Sequence, residues 1–114
     1  MSKMLAIALP IVPGKEEQWK KFINDLNGKY NKDYVKSRKK LGVRERTFHQ
    51  VTPQGHLVIV TLRGDDPEKA FSKFAETDDE FTNWFVKQVQ EIHNMDLRQP
   101  PTGTLPEMVI DSKK

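Results

Sequence analysis

The sequence predicts an α+β fold in the order strand, helix, two-stranded hairpin, broken helix, strand. Three observations predict it. First, Val43 to Val51 and Leu57 to Arg63 are rich in β-branched and aromatic residues. They flank Thr52-Pro53-Gln54-Gly55, where proline presets a turn dihedral and glycine tolerates positive φ. Second, Trp19, Phe22, Ile23, Leu26, Tyr30 and Tyr34 recur at helical spacing, one apolar stripe of an amphipathic helix. Third, Thr77-Asp78-Asp79-Glu80 has the form of a capping box, in which Thr and Glu reciprocally satisfy free amide donors at a helix start.

The elements follow in order. Met4 to Val12 is a strand with Leu5, Ile7 and Leu9 on one face and Met4, Ala6 and Ala8 on the other. Pro13-Gly14-Lys15 ends it and opens the first helix, whose Glu16 and Glu17 complement the helix dipole. Asn27-Gly28 interrupts that helix, since glycine costs ~1 kcal/mol relative to alanine there. Lys36, Arg38, Lys39 and Lys40 precede Leu41-Gly42, a favourable C-terminus. After the hairpin, Asp66 is placed to cap and Pro67 to occupy the first position of a helix bearing Ala70, Phe71, Phe74 and Ala75. The Thr77 box then starts a helix with Phe81, Trp84, Phe85, Gln88, Val89, Ile92 and Met95, stopped by Gln99-Pro100-Pro101-Thr102-Gly103. Leu105 to Ile110 is a last strand, and Asp111 to Lys114 a polar tail.

Closing the turn on Val51 opposite His56 sets the hairpin register. His49 then faces Val58, Thr47 faces Val60 and Glu45 faces Leu62. The other face pairs Phe48 with Ile59, Arg46 with Thr61 and Arg44 with Arg63; a slip of one residue would mispair these rows. Packing Phe48 and Ile59 under the helices turns the Glu45-Thr47-His49 row toward the opposite side. The βαββαβ order is the split-βαβ, ferredoxin-like arrangement, an antiparallel four-stranded sheet with helices on one face and its second helix broken in two. Strands one and three are apolar on both faces. A lone protomer would expose far more than the few hundred Å² of apolar surface that monomers usually tolerate. The expected remedy is a homodimer packed sheet to sheet.

Composition bounds the function. The 114 residues are expected to form one domain, residues 1–114, with 31% charged and 36% hydrophobic residues. The net charge of +3 permits anionic partners without requiring nucleic acid. The absence of cysteine excludes disulfides, thiolate chemistry and cysteine metal sites. No apolar run approaches the roughly 20 residues that span a bilayer. Pro10 and Pro13 break the N-terminal apolar run, which also lacks a small-x-small cleavage site, so a cytoplasmic location is expected. The basic run Lys36 to Lys40 with Arg44 and Arg46 lacks interleaved aromatics and reads as a solvated helix end rather than a nucleic-acid patch. Three scattered histidines have no metal-ligand spacing, so no metal site is expected.

The strand leading through Pro13-Gly14-Lys15-Glu16 into the first helix, the hairpin ending in Arg63-Gly64-Asp65-Asp66-Pro67, and the broken helix with Phe71, Phe74, Phe81 and Phe85 resemble the dimeric α+β barrel superfamily. That resemblance implies a ferredoxin-like protomer whose sheet meets a partner's to close a barrel. The superfamily includes antibiotic-biosynthesis-type monooxygenases, haem-degrading monooxygenases and stress-responsive proteins. Its haem-degrading members carry an Asn on strand one, a Trp on a strand and a His on the second helix. Here strand one has no Asn and Trp84 is helical, leaving His93 alone in a matching element, so no cofactor is expected.

The expected function is binding of a small apolar or amphipathic molecule, fatty-acid-like or polyketide-like, in a pocket at the sheet face, either between sheet and helices or in the barrel lumen. Glu45, Thr47, His49, Val58 and Val60 would line it, and Arg46 with Arg44 and Arg63 would hold a carboxylate or phosphate at its mouth. One alternative is a cofactor-independent monooxygenase or isomerase with His49 as its catalytic acid/base. The other is a structural or regulatory dimer without ligand. His56, beside the turn, reads as exposed, and His93 as a surface or capping residue.

Overall fold

A computed structural model describes residues 3–99 and 105–113. Its elements are β1 (Lys3–Pro10), α1 (Glu16–Asn27), α2 (Asn31–Leu41), β2 (Val43–Thr52), β3 (Gly55–Gly64), α3 (Lys69–Glu76) and α4 (Glu80–His93). The fold is α+β, an open antiparallel sheet in the order β1-β3-β2 with four helices. The hairpin register is the expected one throughout: Val51 opposes His56, His49 opposes Val58, and Arg44 opposes Arg63. On the other side of β3, Leu5 opposes Leu62, Ile7 opposes Val60 and Leu9 opposes Val58.

The faces are reversed from the expectation. Ile7, Val58 and Leu62 join Trp19, Phe22, Phe85, Val89 and Ile92 in one buried cluster. Side chains alternate along a strand, so the Glu45-Thr47-His49 row shares the helix-covered face with Val58 and Leu62. Phe48, 55% exposed, lies on the open face. The reason is visible across all three strands together. The helix-side row of β1 is Leu5, Ile7 and Leu9, whereas the open row is Met4, Ala6 and Ala8. Adding Arg44, Arg46 and Arg63 to the open row makes burying it under the helices the costlier choice.

Local punctuation agrees with the sequence at one break and differs from it elsewhere. The first long helix divides at Gly28, as its composition suggests, giving α1 and α2. Asp79, not Thr77, is the N-cap of α4, its carboxylate accepting from Thr82 N at 2.7 Å. Thr77 instead ends α3, its hydroxyl donating to Lys73 O at 2.6 Å. Asp66 makes no side-chain cap, and α3 begins only at Lys69. Finally, α4 ends at His93 because Asn94 adopts the left-handed conformation at φ 55°. The proposed stop lies beyond it, and of its residues only Gln99 is described. Residues 105–113 form neither helix nor strand, so the expected fourth strand is not present among the described residues.

Candidate functional site

Between the helix layer and the sheet lies a cavity of about 70 Å³. Its wall is almost wholly apolar, with Trp19 and Phe22 from α1, Ile7 from β1, Val58 and Val60 from β3, and Phe85 from α4. Besides the indole N–H of Trp19, Arg38, Glu45, Thr47 and His93 bring polar groups to it. Such a shell forms because α1 and α4 both present apolar stripes to the large-residue face of the sheet.

Arg38 is the most unusual of the four. It sits in the last turn of α2, where a cation complements the helix dipole. Tyr34, Arg38 and Leu41 lie on one face of that helix, and this face is turned inward; Arg38 is only 5% exposed. The basic run is therefore not uniformly solvated, as the sequence suggested, because one of its members belongs to the core. Its Nε donates to Glu45 Oε1 at 2.7 Å, and its Nη1 donates to Ser37 Oγ at 2.9 Å. The guanidinium carbon lies 4.5 Å from the Phe85 ring centre, 4.7 Å from Tyr34 and 5.3 Å from Phe74. Cation–π contacts of this kind are worth ~2 kcal/mol when desolvated. Nη2 is buried and has no hydrogen-bond partner among the described residues. Burial first, then the Glu45 charge, push the Tyr34 phenol well above its usual pKa, so it stays protonated.

His93 occupies another part of the wall. Its Nδ1 donates to the Pro10 carbonyl at 2.9 Å, tying the end of α4 to the end of β1. Burial lowers its pKa against the opposing effect of that hydrogen bond. With Nδ1 holding the proton of the neutral ring, Nε2 carries the lone pair and can accept a proton or a hydrogen bond.

The site residues expected from sequence divide into two groups. Glu45, Thr47, Val58 and Val60 all line the cavity. His49 and Arg46 do not. His49 shares the helix-side face but sits outside the wall, its ring 4.5 Å from that of Trp19 and its Nε2 2.9 Å from His56 Nδ1. His56 is thus half-buried and bonded rather than free beside the turn. Arg46 points to the open face opposite Thr61, as alternation from Glu45 requires. Arg38 and His93 were the residues missed. The Tyr34–Arg38–Leu41 spacing was the available signal for the first. No local pattern marks the second, whose partner Pro10 is far away in sequence. Among the described residues no group of three or more His, Cys, Asp or Glu converges, and no described helix is long and apolar enough to cross a membrane.

Two consequences can be measured. Replacing Arg38 alone by Met leaves Glu45 buried without its cation, which costs about 3–5 kcal/mol; combining Arg38→Met with Glu45→Leu recovers most of it. Urea denaturation of the two variants checks this, and equal losses in both would contradict the buried pairing. The second concerns pH. His93 has a folded pKa below the 6.5 of the free side chain. The unfolded chain therefore binds more protons as pH falls below about 6.5, and stability falls with it until the folded pKa is passed. His93→Gln keeps a donor for Pro10 but cannot titrate. Its urea midpoint should drop less than the parent's between about pH 7.5 and about pH 5.5; equal drops would exclude His93 as a source of the pH dependence.

No family model matches this chain, and neither the curated proteins nor the solved structures searched contain a match to it.

Proposed function

We propose that this chain binds a small apolar or amphipathic molecule in the cavity between sheet and helices, as one protomer of a ferredoxin-like homodimer of the α+β barrel type. The observation that carries the binding reading is a partly open, mostly apolar cavity with a buried arginine in its wall. Well-packed interiors hold few voids, and ligand sites combine apolar walls with a few placed polar groups. Volume limits the ligand. About 70 Å³ is well under the ~300 Å³ at the lower end of typical ligand pockets. It accommodates a compound of a few carbons, or one end of a longer molecule, and a whole fatty acyl chain fits only if the helices part.

Binding is tested by native mass spectrometry and thermal unfolding after incubation with a lipid extract and with a panel of short-chain acids, alcohols and ketones. A ligand at 100-fold its Kd should add about 2.7 kcal/mol and raise Tm by on the order of 10 °C. A protein that retains nothing from the extract and gains no stability from any member contradicts the reading.

The dimer reading rests on the open sheet face. Phe48, Ile59 and Ala8 are aligned across the three strands, with Leu57 and Pro10 paired beyond them, while Arg44, Arg46 and Arg63 cluster at the other end. A two-fold packing that overlays the apolar ends buries Phe48 and keeps the basic ends of the two copies apart. Light scattering should give a dimer for the parent chain and a monomer for Phe48→Glu. A monomeric parent at micromolar concentration would exclude sheet-to-sheet assembly as its resting state.

A further inference from the structure

We infer that His49 and His56 form a two-imidazole site for a tetragonal divalent transition metal, Cu(II) above all, at the turn end of the hairpin. The two residues are 7 positions apart, and the hairpin brings their rings together. With His49 opposite Val58 and Val51 opposite His56, they stand diagonally on one face of adjacent strands. His49 Nε2 lies 2.9 Å from His56 Nδ1, and the ring planes are within 17° of parallel. Neither outer nitrogen, His49 Nδ1 or His56 Nε2, has a hydrogen-bond partner among the described residues. No described group therefore fixes the tautomer of either ring. With the protons on the two outer nitrogens, both inner nitrogens present lone pairs and both rings stay neutral, the form in which imidazole binds a metal.

The spacing selects the geometry, and the geometry selects the ion. Imidazole nitrogens bind transition metals at about 2.0–2.1 Å, so two in adjacent positions of a tetragonal ion stand ~2.9 Å apart, whereas a tetrahedral ion sets them ~3.3–3.4 Å apart. The 2.9 Å between His49 and His56 matches the right-angled case. The ion sits beside the line joining the two nitrogens, and the rings turn toward it. His49 and turn residues 53–55 are exposed, so solvent reaches the pair and water supplies the remaining ligands. No further His, Asp or Glu joins the two rings to make a group of three among the described residues. His93 is held elsewhere by the Pro10 carbonyl. Two protein ligands fall short of the three or four that build a zinc site. Cu(II) and Ni(II) favour tetragonal nitrogen and oxygen donors, and copper binds the more tightly. The outer nitrogens lack the carboxylate or carbonyl partners that strengthen metal-bound histidines, so the site holds an exchangeable ion and not a structural one.

The test titrates the full chain with Cu(II), followed by tryptophan fluorescence and by electron paramagnetic resonance. The Trp19 ring lies 4.5 Å from that of His49, so an ion held at the pair should quench its emission. The resonance spectrum should be axial and show coupling to two imidazole nitrogens. His49→Gln and His56→Gln should each weaken copper binding by about tenfold or more, because the second donor of a chelate acts at the high effective concentration its scaffold sets. Quenching that survives either substitution undiminished places the ion elsewhere and overturns the inference, as does a parent spectrum with a single coupled nitrogen. Zinc binding as tightly as copper would overturn the tetragonal assignment. If the variant at the half-buried His56 does not fold, the exposed His49 variant and the nitrogen count of the parent still decide.

Discussion

The buried Arg38–Glu45 pair is the interaction on which the interior depends. It joins the last turn of α2 to β2, and its guanidinium is packed by Phe74 of α3 and Phe85 of α4. Four elements are thus held to one group that cannot lose its charge. Buried ion pairs are poor sources of net stability, because the desolvation of both ions offsets their attraction, and well-packed apolar replacements often do as well. What the pair supplies here is position. It sets the C-terminal end of α2 against the sheet and holds a charged side chain in the wall of a mostly apolar space.

That space follows from an asymmetry between the two faces of the sheet. Large aliphatic residues on β1 and β3 line one face, and α1, α2 and α4 bring aromatic residues to it. The ring contacts of Phe22 with Trp84 and Phe85 at 5.3–5.4 Å join α1 to α4. The opposite face carries Met4, Ala6 and Ala8 with Phe48, Leu57, Ile59 and three arginines, a surface poorly suited to a core.

Much of this was legible in the sequence. The hairpin register followed once the turn was taken to close on Val51 opposite His56, and the strands pair in that register. The helix break at Gly28 followed from backbone propensity. The choice of face did not follow, since LVIVTL is apolar on both sides and the hairpin alone cannot break the tie. The row of β1 that pairs with it breaks the tie, and this was readable only as a three-strand sum. Caps were misread for a related reason. Thr77 and Asp79 are both good N-caps, and their neighbours decide between them: Lys73 O takes the Thr77 hydroxyl and Thr82 N takes the Asp79 carboxylate. His93 became a wall residue through a contact with Pro10 across 83 positions, which no local pattern encodes. Of the expected pocket residues, those sharing a face with Val58 near the strand centre were brought together. His49 was lost because β2 continues past the cavity, and Arg46 because alternation sends it to the other side.

The central claim is that accessible apolar space lies beneath the helices beside Arg38, and not at the open sheet face. Diffraction from crystals of the protein pressurised with xenon tests it most directly, because xenon reports dry cavities without needing a hydrogen bond. The account predicts a xenon peak enclosed by Trp19, Phe22, Val60 and Phe85, within contact of the Arg38 guanidinium. A crystal whose interior takes up no xenon, or takes it up only against Phe48 and Ile59, would contradict it.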